Sequence, residues 1–354
     1  MPTTTPTASQ LTRPKPSLFW GYVALVAVYI TWSTTFGAMR VGLNSLHPSV
    51  LVAQRYGWTV LLFAPFVDKR VWRLPAKALL ANGLAGLLMF GVGNSLTPFN
   101  LQIIPTGVAA AVVALNPFWM IALSWVLPPR EQVSPSIMAA LILGFSGLML
   151  VLSPDIPHWF SGHRPIISAV ILQMVAGLAW CWGSMISRQM HQTVDEASHT
   201  GFRFQLGLVV QQNIVAVVLM TLVATWQGLH PWDYLTHLSD YAAQPSLIRW
   251  PSVFSVLYLV VFGSGIGMVG YLYSLQTLPL ALTGTFAYVT PVLTAALGVW
   301  LLNEPSHWQL MVGMGVIVIS VVLIQWLVAK QAMPAHDLSS KDAVALVDTL
   351  EIPL

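Results

Sequence analysis

The sequence predicts an all-α integral membrane protein with ten transmembrane helices, arranged as two inverted five-helix repeats. Three observations carry this expectation: charged residues are scarce, apolar stretches of spanning length recur, and the second half of the chain repeats the first. Of 354 residues, 15 are Lys or Arg and 12 are Asp or Glu, so 8% are charged, against roughly a quarter in a soluble domain. Apolar residues make up 56%, enough to clothe ten helices of about 20 residues in lipid. The lone Cys181 excludes a disulfide framework, a cysteine zinc site and an iron–sulfur cluster. A net charge of +3 does not point to nucleic acid, and neither a cofactor nor a metal is expected.

Residues 1–17 are rich in Thr and Pro and lack apolar periodicity, so they read as a disordered cytoplasmic tail. No small-residue cleavage site follows the first apolar stretch, which therefore reads as a helix and not as a signal peptide. Nearly uncharged stretches then occupy about 19–39, 49–67, 79–99, 105–127, 136–153, 166–187, 204–226, 252–274, 279–301 and 308–328. Grouped by fives, they place one repeat in 18–153 and a second in 154–329, with a polar tail over 330–354. That tail carries a short apolar run, Val344–Val347, which reads as mobile chain or as a small amphipathic partner-binding helix. With the N-terminus inside, the cytoplasmic segments hold Arg13, Lys15, Lys69, Arg70, Arg73, Lys77, Arg130, Arg188, Arg203, Lys330 and Lys341, and the outer ones only Arg40, Arg164 and Arg249. The excess of inner basic residues puts both termini in the cytoplasm. Arg55 is left near the outer end of the second span, to snorkel or pair.

The repeat appears in two registers. An offset of 148 lays Trp32 on Trp180, Arg40 on Arg188 and Arg55 on Arg203. An offset of 174 lays Leu101, Gln102 and Pro105 on Leu275, Gln276 and Pro279, and Asn116-Pro117 on Thr290-Pro291. The change of register falls mostly in the loop 227–251, longer than its counterpart 68–78, and Trp226, Trp232, Tyr234, Tyr241 and Trp250 in or beside it suggest a short segment lying on the membrane surface. One residue of drift then aligns Glu131 with Glu304. Because each half has an odd number of spans, the second enters the membrane from the opposite side. Inverted bundles of this kind can rock about a midplane site, the construction of many secondary transporters.

Trp32-Ser33-Thr34-Thr35-Phe36, then Pro48 and Arg55, open the first half; Pro117 or Pro291 in a long span, followed by Glu131 or Glu304 and a helix beginning near Gly144 or Gly313, closes each half. This ordered set resembles the EamA family of the drug/metabolite transporter superfamily over nearly all of residues 19–328. Ser33 stands where that family prefers Gly, and Pro128-Pro129-Arg130 replaces its usual apolar-Gly run. The resemblance implies ten helices, a central cavity lined by spans 1, 3, 4, 6, 8 and 9, and commonly export of amino acids or related metabolites.

All 12 acidic residues and all nine histidines fall in tails, loops or span ends. A buried acid or His is thus not available for proton coupling, which favours a facilitator or exchanger, and a membrane hydrolase or metal enzyme lacks its groups. Tyr22, Tyr29, Trp32 and Phe36 form an aromatic face on span 1, with Trp180 and Trp182 on the matching span 6. Such rings pack helices together or hold an apolar or cationic substrate group. Asn94, Asn100, Asn116, Tyr271, Gln276, Thr283, Tyr288 and Thr290 offer hydrogen bonds inside the membrane, to a substrate or to a neighbouring helix. Gln211, Gln212 and Asn213 read as structural. Gly265, Gly267 and Gly270 match a dinucleotide fingerprint only in letters, since no strand precedes them; Gly263 and Gly267 instead have the spacing of close helix packing.

The expected substrate-binding set is therefore Trp32, Asn94, Asn116, Trp119, Trp182, Tyr271, Tyr288 and Thr290, with Glu131, Glu304 and Arg55 at gates or helix ends. The expected function is export of a small metabolite, an amino acid or an aromatic or amphipathic compound, across a bacterial inner membrane by alternating access. The expected partners are that small molecule and the lipid bilayer, with a homodimer left open. Rival readings are a carrier of nucleotide sugars, sugar phosphates or cationic drugs, and a membrane-embedded enzyme or subunit of a larger complex.

Overall fold

Helices fill the computed structural model, which describes residues 18–104, 109, 112–127, 133–154, 165–193, 202–233, 249–293 and 308–332; among these no strand occurs. In chain order they are α1 Leu18–Leu43, α2 Pro48–Phe63, α3 Ala76–Asn100, α4 Asn116–Val126, α5 Pro135–Leu152, α6 Pro165–Thr193, α7 Phe202–Trp226, α8 Trp250–Thr277, α9 Leu280–Leu293 and α10 Trp308–Ala332. Six of the described helices, α1, α3, α6, α7, α8 and α10, are long and apolar enough to cross a membrane, while α5 and α9 are shorter apolar helices. Glu131, Glu304, the tail 1–17, the apolar run Val344–Val347 and the loop rings Tyr234 and Tyr241 lie outside the described residues.

Proline sets several of the starts. Pro48, Pro135 and Pro251 stand in the first turns of α2, α5 and α8, where a missing N–H costs nothing. The Ser134 hydroxyl accepts from the Ile137 N–H to cap α5. In the basic loop after α2, Asp68 caps a short 3-10 turn over Lys69–Arg73 and pairs with Arg70 at 2.6 Å. That hydrogen-bonded guanidinium holds the Asp68 carboxyl down at about 2.

Four helix pairs build the body, and in each the residue numbers run in opposite directions. On α5 and α10, Ala140 accepts from the Ser320 hydroxyl at 2.7 Å, Gly144 also meets Ser320, and Gly147 and Val151 meet Gly313. On α2 and the end of α7, Ser49 donates to Gln227 at 2.8 Å while Phe66 accepts from Arg203 at 2.9 Å. Likewise α1 runs against α8, from Gly21 on Thr277 to Ala38 on Ser255, and α3 runs against α6, from Ala85 on Gly183 to Asn100 on Gln173. Glycine recurs at these contacts because, without a hydrophobic drive between helices in lipid, close backbone approach supplies the attraction.

Two local departures matter for the centre. Both α3 and α8 leave α-helical geometry for a π-helical stretch, over Leu87–Asn94 and Leu259–Gly267, at nearly the same place under the offset of 174. Inside α3 the Ser95 hydroxyl donates to the Phe90 carbonyl at 2.5 Å. Helix α1 has a turn at Thr34. The Ser33 hydroxyl there donates back to Ile30 at 2.7 Å, so serine forms this turn without glycine.

The loop after α7 corrects one expectation. Trp226 and Trp250 are exposed, as a membrane-surface segment requires. Trp232 is not: its ring covers Gly57 of α2, and its Nε1 donates to Thr221 at 3.2 Å. Gly57 leaves the space a ring can enter.

Candidate functional site

At the meeting of the two halves lies a cavity of about 90 Å³. Its walls come from α1 (Trp32, Thr35, Phe36, Met39), α2 (Arg55), α3 (Gly93, Asn94, Thr97), α4 and the turn before it (Val113, Asn116), α6 (Gln173, Ala176, Gly177, Trp180) and α9 (Phe286, Thr290, Pro291).

Aromatic rings make the hard wall. Trp32 and Trp180, mates under the offset of 148, meet edge to face with centroids 5.5 Å apart. Phe286 stands edge-on to Trp32 at 5.0 Å, and Tyr271 lies 5.2 Å from Trp32 and 5.5 Å from Trp180. Each indole N–H is used: Trp32 donates to the Gly263 carbonyl at 3.2 Å, and Trp180 to the Tyr271 hydroxyl at 3.3 Å. Ser184 sits 2.8 Å from that same hydroxyl. The ring cluster is thereby fixed in orientation by bonds from both repeats.

The polar lining divides into satisfied and unsatisfied groups. Asn100 donates to Gln173 at 2.8 Å, and Gln173 donates to Thr97 at 3.3 Å. The Asn116 side-chain oxygen, on a residue 3% exposed, accepts no hydrogen bond among the described residues. Asn116 stands at the start of α4, and Pro117 after it packs against Gly284, in the turn that interrupts α9. Two broken helices therefore touch beside the cavity, an arrangement tolerated in a membrane only where backbone is buried in protein or lines a cavity.

Arg55 is the charged member. It lies within α2, is 5% exposed, and gives its Nε–H to the Ser264 hydroxyl at 2.9 Å. Its guanidinium carbon sits 5.3 Å from the Tyr56 ring centroid. Asp68 with Arg70 is the ion pair among the described residues, and Arg55 has no such partner there. A lone charge at the centre of a membrane-spanning helix costs about 3 kcal/mol on insertion scales.

A sequence model of the EamA-like transporter family matches residues 19–153 and 167–326. The chain belongs to the EamA-like transporter family. Among its relatives, YedA of Escherichia coli K12, described as an uncharacterized inner membrane transporter, is 28% identical over 303 residues, covering 85% of this chain and 89% of the relative. YvbV of Bacillus subtilis, described as an uncharacterized transporter, is 21% identical, covering 90% of this chain and 96% of the relative. A crystal structure 18% identical shares the fold, with a TM-score of 0.65 over 88% of this chain and 99% of the other.

In this EamA chain the expected binding residues divide. Trp32, Asn94, Asn116 and Thr290 stand in the cavity wall. Tyr271, fully buried, braces the rings from behind, and Trp119 stands near Gly177 one layer out, its Nε1 buried without a partner. Two placements are corrections. Trp182 is 46% exposed and faces outward; two residues along a helix turn a side chain by about 200°, so Trp180 takes the inner position. Tyr288 reaches away from the cavity, its hydroxyl donating to Leu141 on α5 at 3.3 Å.

Arg55, expected at a gate or a helix end, stands in the cavity wall from within α2. Arg188, also expected at a span end, is 9% exposed within α6. The expected lining by span 8 changes too. There Gly263 and Gly267 expose no side chain, and a Cβ on them would lie 2.9 Å from Arg55 and 2.4 Å from the Trp32 nitrogen. The false fingerprint is thus the groove into which α1 and Arg55 fit. Sequence reasoning missed Gln173 and Phe286; their only signal was position near Trp180 and Thr290.

Proposed function

We propose that this chain is a secondary transporter of the inner membrane that exports a small amino acid, aromatic or amphipathic compound by alternating access. In this reading ten spans form two inverted five-helix repeats over 18–153 and 154–329, with both termini cytoplasmic. The opposed running of α2 against α7 and of α5 against α10, each a pair of corresponding helices, supports inversion. The inner-membrane setting is supported by the name of the Escherichia coli relative.

The observation that carries the reading is the shared wall: Trp32 and Trp180, mates in the repeat, close one cavity, with Asn116 and its mate Thr290 both on it. At about 90 Å³ the cavity is smaller than the roughly 300 Å³ or more of an ordinary small-molecule pocket, and in this reading the bundles part on one side as the substrate loads. Nucleotide sugars and sugar phosphates rank lower, because a multiply charged group meets one cation, Arg55, in the described lining. The test is purified protein in liposomes against a panel of radiolabelled amino acids and amines. Saturable flux of at least one compound is expected, reduced at least tenfold by Asn116→Ala and by Trp32→Ala. Flux of none, with Asn116→Ala silent in cells, overturns the proposal.

A further inference from the structure

We propose that Arg55 is a substrate-binding residue and that the transported compound is a monoanion, a carboxylate carried on an apolar body. This rests on the transport reading above and names its substrate class. The geometry singles Arg55 out from the other basic residues. Arg40 gives its guanidinium to the Leu101 carbonyl at 2.5 Å, Arg203 gives its Nε–H to Phe66, and Arg70 is paired with Asp68. Arg55 alone of these lines the cavity, and its one described side-chain hydrogen bond uses Nε, on the inner edge of the fork. The outer edge, with five N–H donors in the whole group, has the shape that takes a carboxylate in two parallel bonds.

The surroundings are built for this group. Gly263 leaves the space in which the terminal nitrogen of Arg55 sits, since a Cβ there would be 2.9 Å away, and the same Gly263 carbonyl holds the Trp32 indole. Charge site and ring wall are therefore joined through one residue. On the same wall Asn116 has a buried oxygen with no partner among the described residues, which suits an N–H or O–H on the same guest once the amide turns from Gly177 toward the cavity. A cationic guest is disfavoured, because like charges repel strongly where water is excluded. The rings of Trp32, Trp180 and Phe286 then receive the apolar body.

Equilibrium dialysis of the purified full chain tests this with paired monoanionic probes: radiolabelled N-acetylphenylalanine, N-acetylleucine and 3-phenylpropionate, each beside its neutral primary amide. At least one acid is expected to bind tenfold or more tighter than its amide. Arg55→Gln brings that ratio close to one and leaves amide binding unchanged, whereas Arg55→Lys keeps a ratio of at least about three. Should Arg55→Gln fail to fold, Gly263→Ala serves: it pushes the guanidinium aside and lowers the ratio without loss of the fold, judged by helical circular dichroism. Amides that bind as tightly as acids, or a ratio unmoved in Arg55→Gln and Gly263→Ala, overturn the assignment. So does chloride that competes with the acids at equal potency, which would make this a halide site. The same panel in liposomes separates the two proposals: flux of amides or amines without acids overturns the anion alone, and flux of nothing overturns transport with it.

Discussion

Asn82 and Asn116 are both buried asparagines inside the helical body, and they live in opposite conditions. Asn82 of α3 donates to the Leu208 carbonyl and to Gln211, and accepts from Gln212 at 2.8 Å. Gln211 in turn donates to the Val71 carbonyl at 2.9 Å. Asn116 lines the cavity with its oxygen lying against Gly177 and accepting no hydrogen bond among the described residues. The first region ties α3, α7 and the basic loop together; the second stands unbonded on the cavity wall. The same amino acid at similar burial thus has two settings that differ in its partners, and leaving a buried polar group unbonded carries a cost.

Glycine substitution gives the largest expected separation. A Cβ on Gly86 would lie 2.6 Å from the Gln212 backbone, which cannot move aside, so Gly86→Ala is expected to cost about 3 kcal/mol through overpacking. At Gly177 the nearest atom is the Asn116 side-chain oxygen at 2.7 Å. That amide can swing into the cavity, so Gly177→Ala should fold and lose transport. Thermal unfolding in detergent and liposome flux check both, and equal stability losses would erase the distinction.

Asn82→Ala comes next, with an expected cost of about 1–3 kcal/mol for the partners it strands, read as a lower Tm with flux per folded molecule retained. Asn116→Ala should do the reverse. It leaves Tm unchanged or raised, because an unbonded buried oxygen is removed, and cuts flux at least tenfold. A Tm fall in Asn116→Ala matching that of Asn82→Ala would place both in the scaffold.

The smallest effect concerns the basic loop. The folded Asp68 carboxyl sits at about 2, below the ordinary aspartate value of about 3.9. Its contribution to stability is therefore present above roughly pH 4 and is lost as pH falls through about 2. The group is exposed on the surface, so screening keeps the contribution small. The Tm difference between the native chain and Asp68→Asn should be slight at pH 7 and vanish near pH 2; a gap that widens on acidification would refute the pairing.

Much of the architecture was legible along the chain. Scarce charge and repeated apolar stretches predicted helices, and the offset of 148 paired Trp32 with Trp180 before any geometry was known. The same letters could not rank Trp180 above Trp182, since both look alike to composition and only the rotation of α6 against α3 buries one of them. Nor did they reveal the π-helical stretches, although Gly91, Gly93, Gly263, Gly265 and Gly267 cluster in them. Arg55 could be read only as a gate or helix-end residue, because a hydropathy boundary is loose by several residues and does not show which neighbour a side chain meets.

By itself the sequence determined what composition and period can decide: helix against strand, lipid against water, and the likeness of the second half to the first. These follow from composition and period, because each residue's cost in lipid is incurred where it stands. Only the tertiary structure decided which polar groups are satisfied and which face the shared cavity. A hydrogen bond joins residues far apart in the chain, as Arg55 joins Ser264 and Trp32 joins Gly263, and no window along the sequence contains both partners.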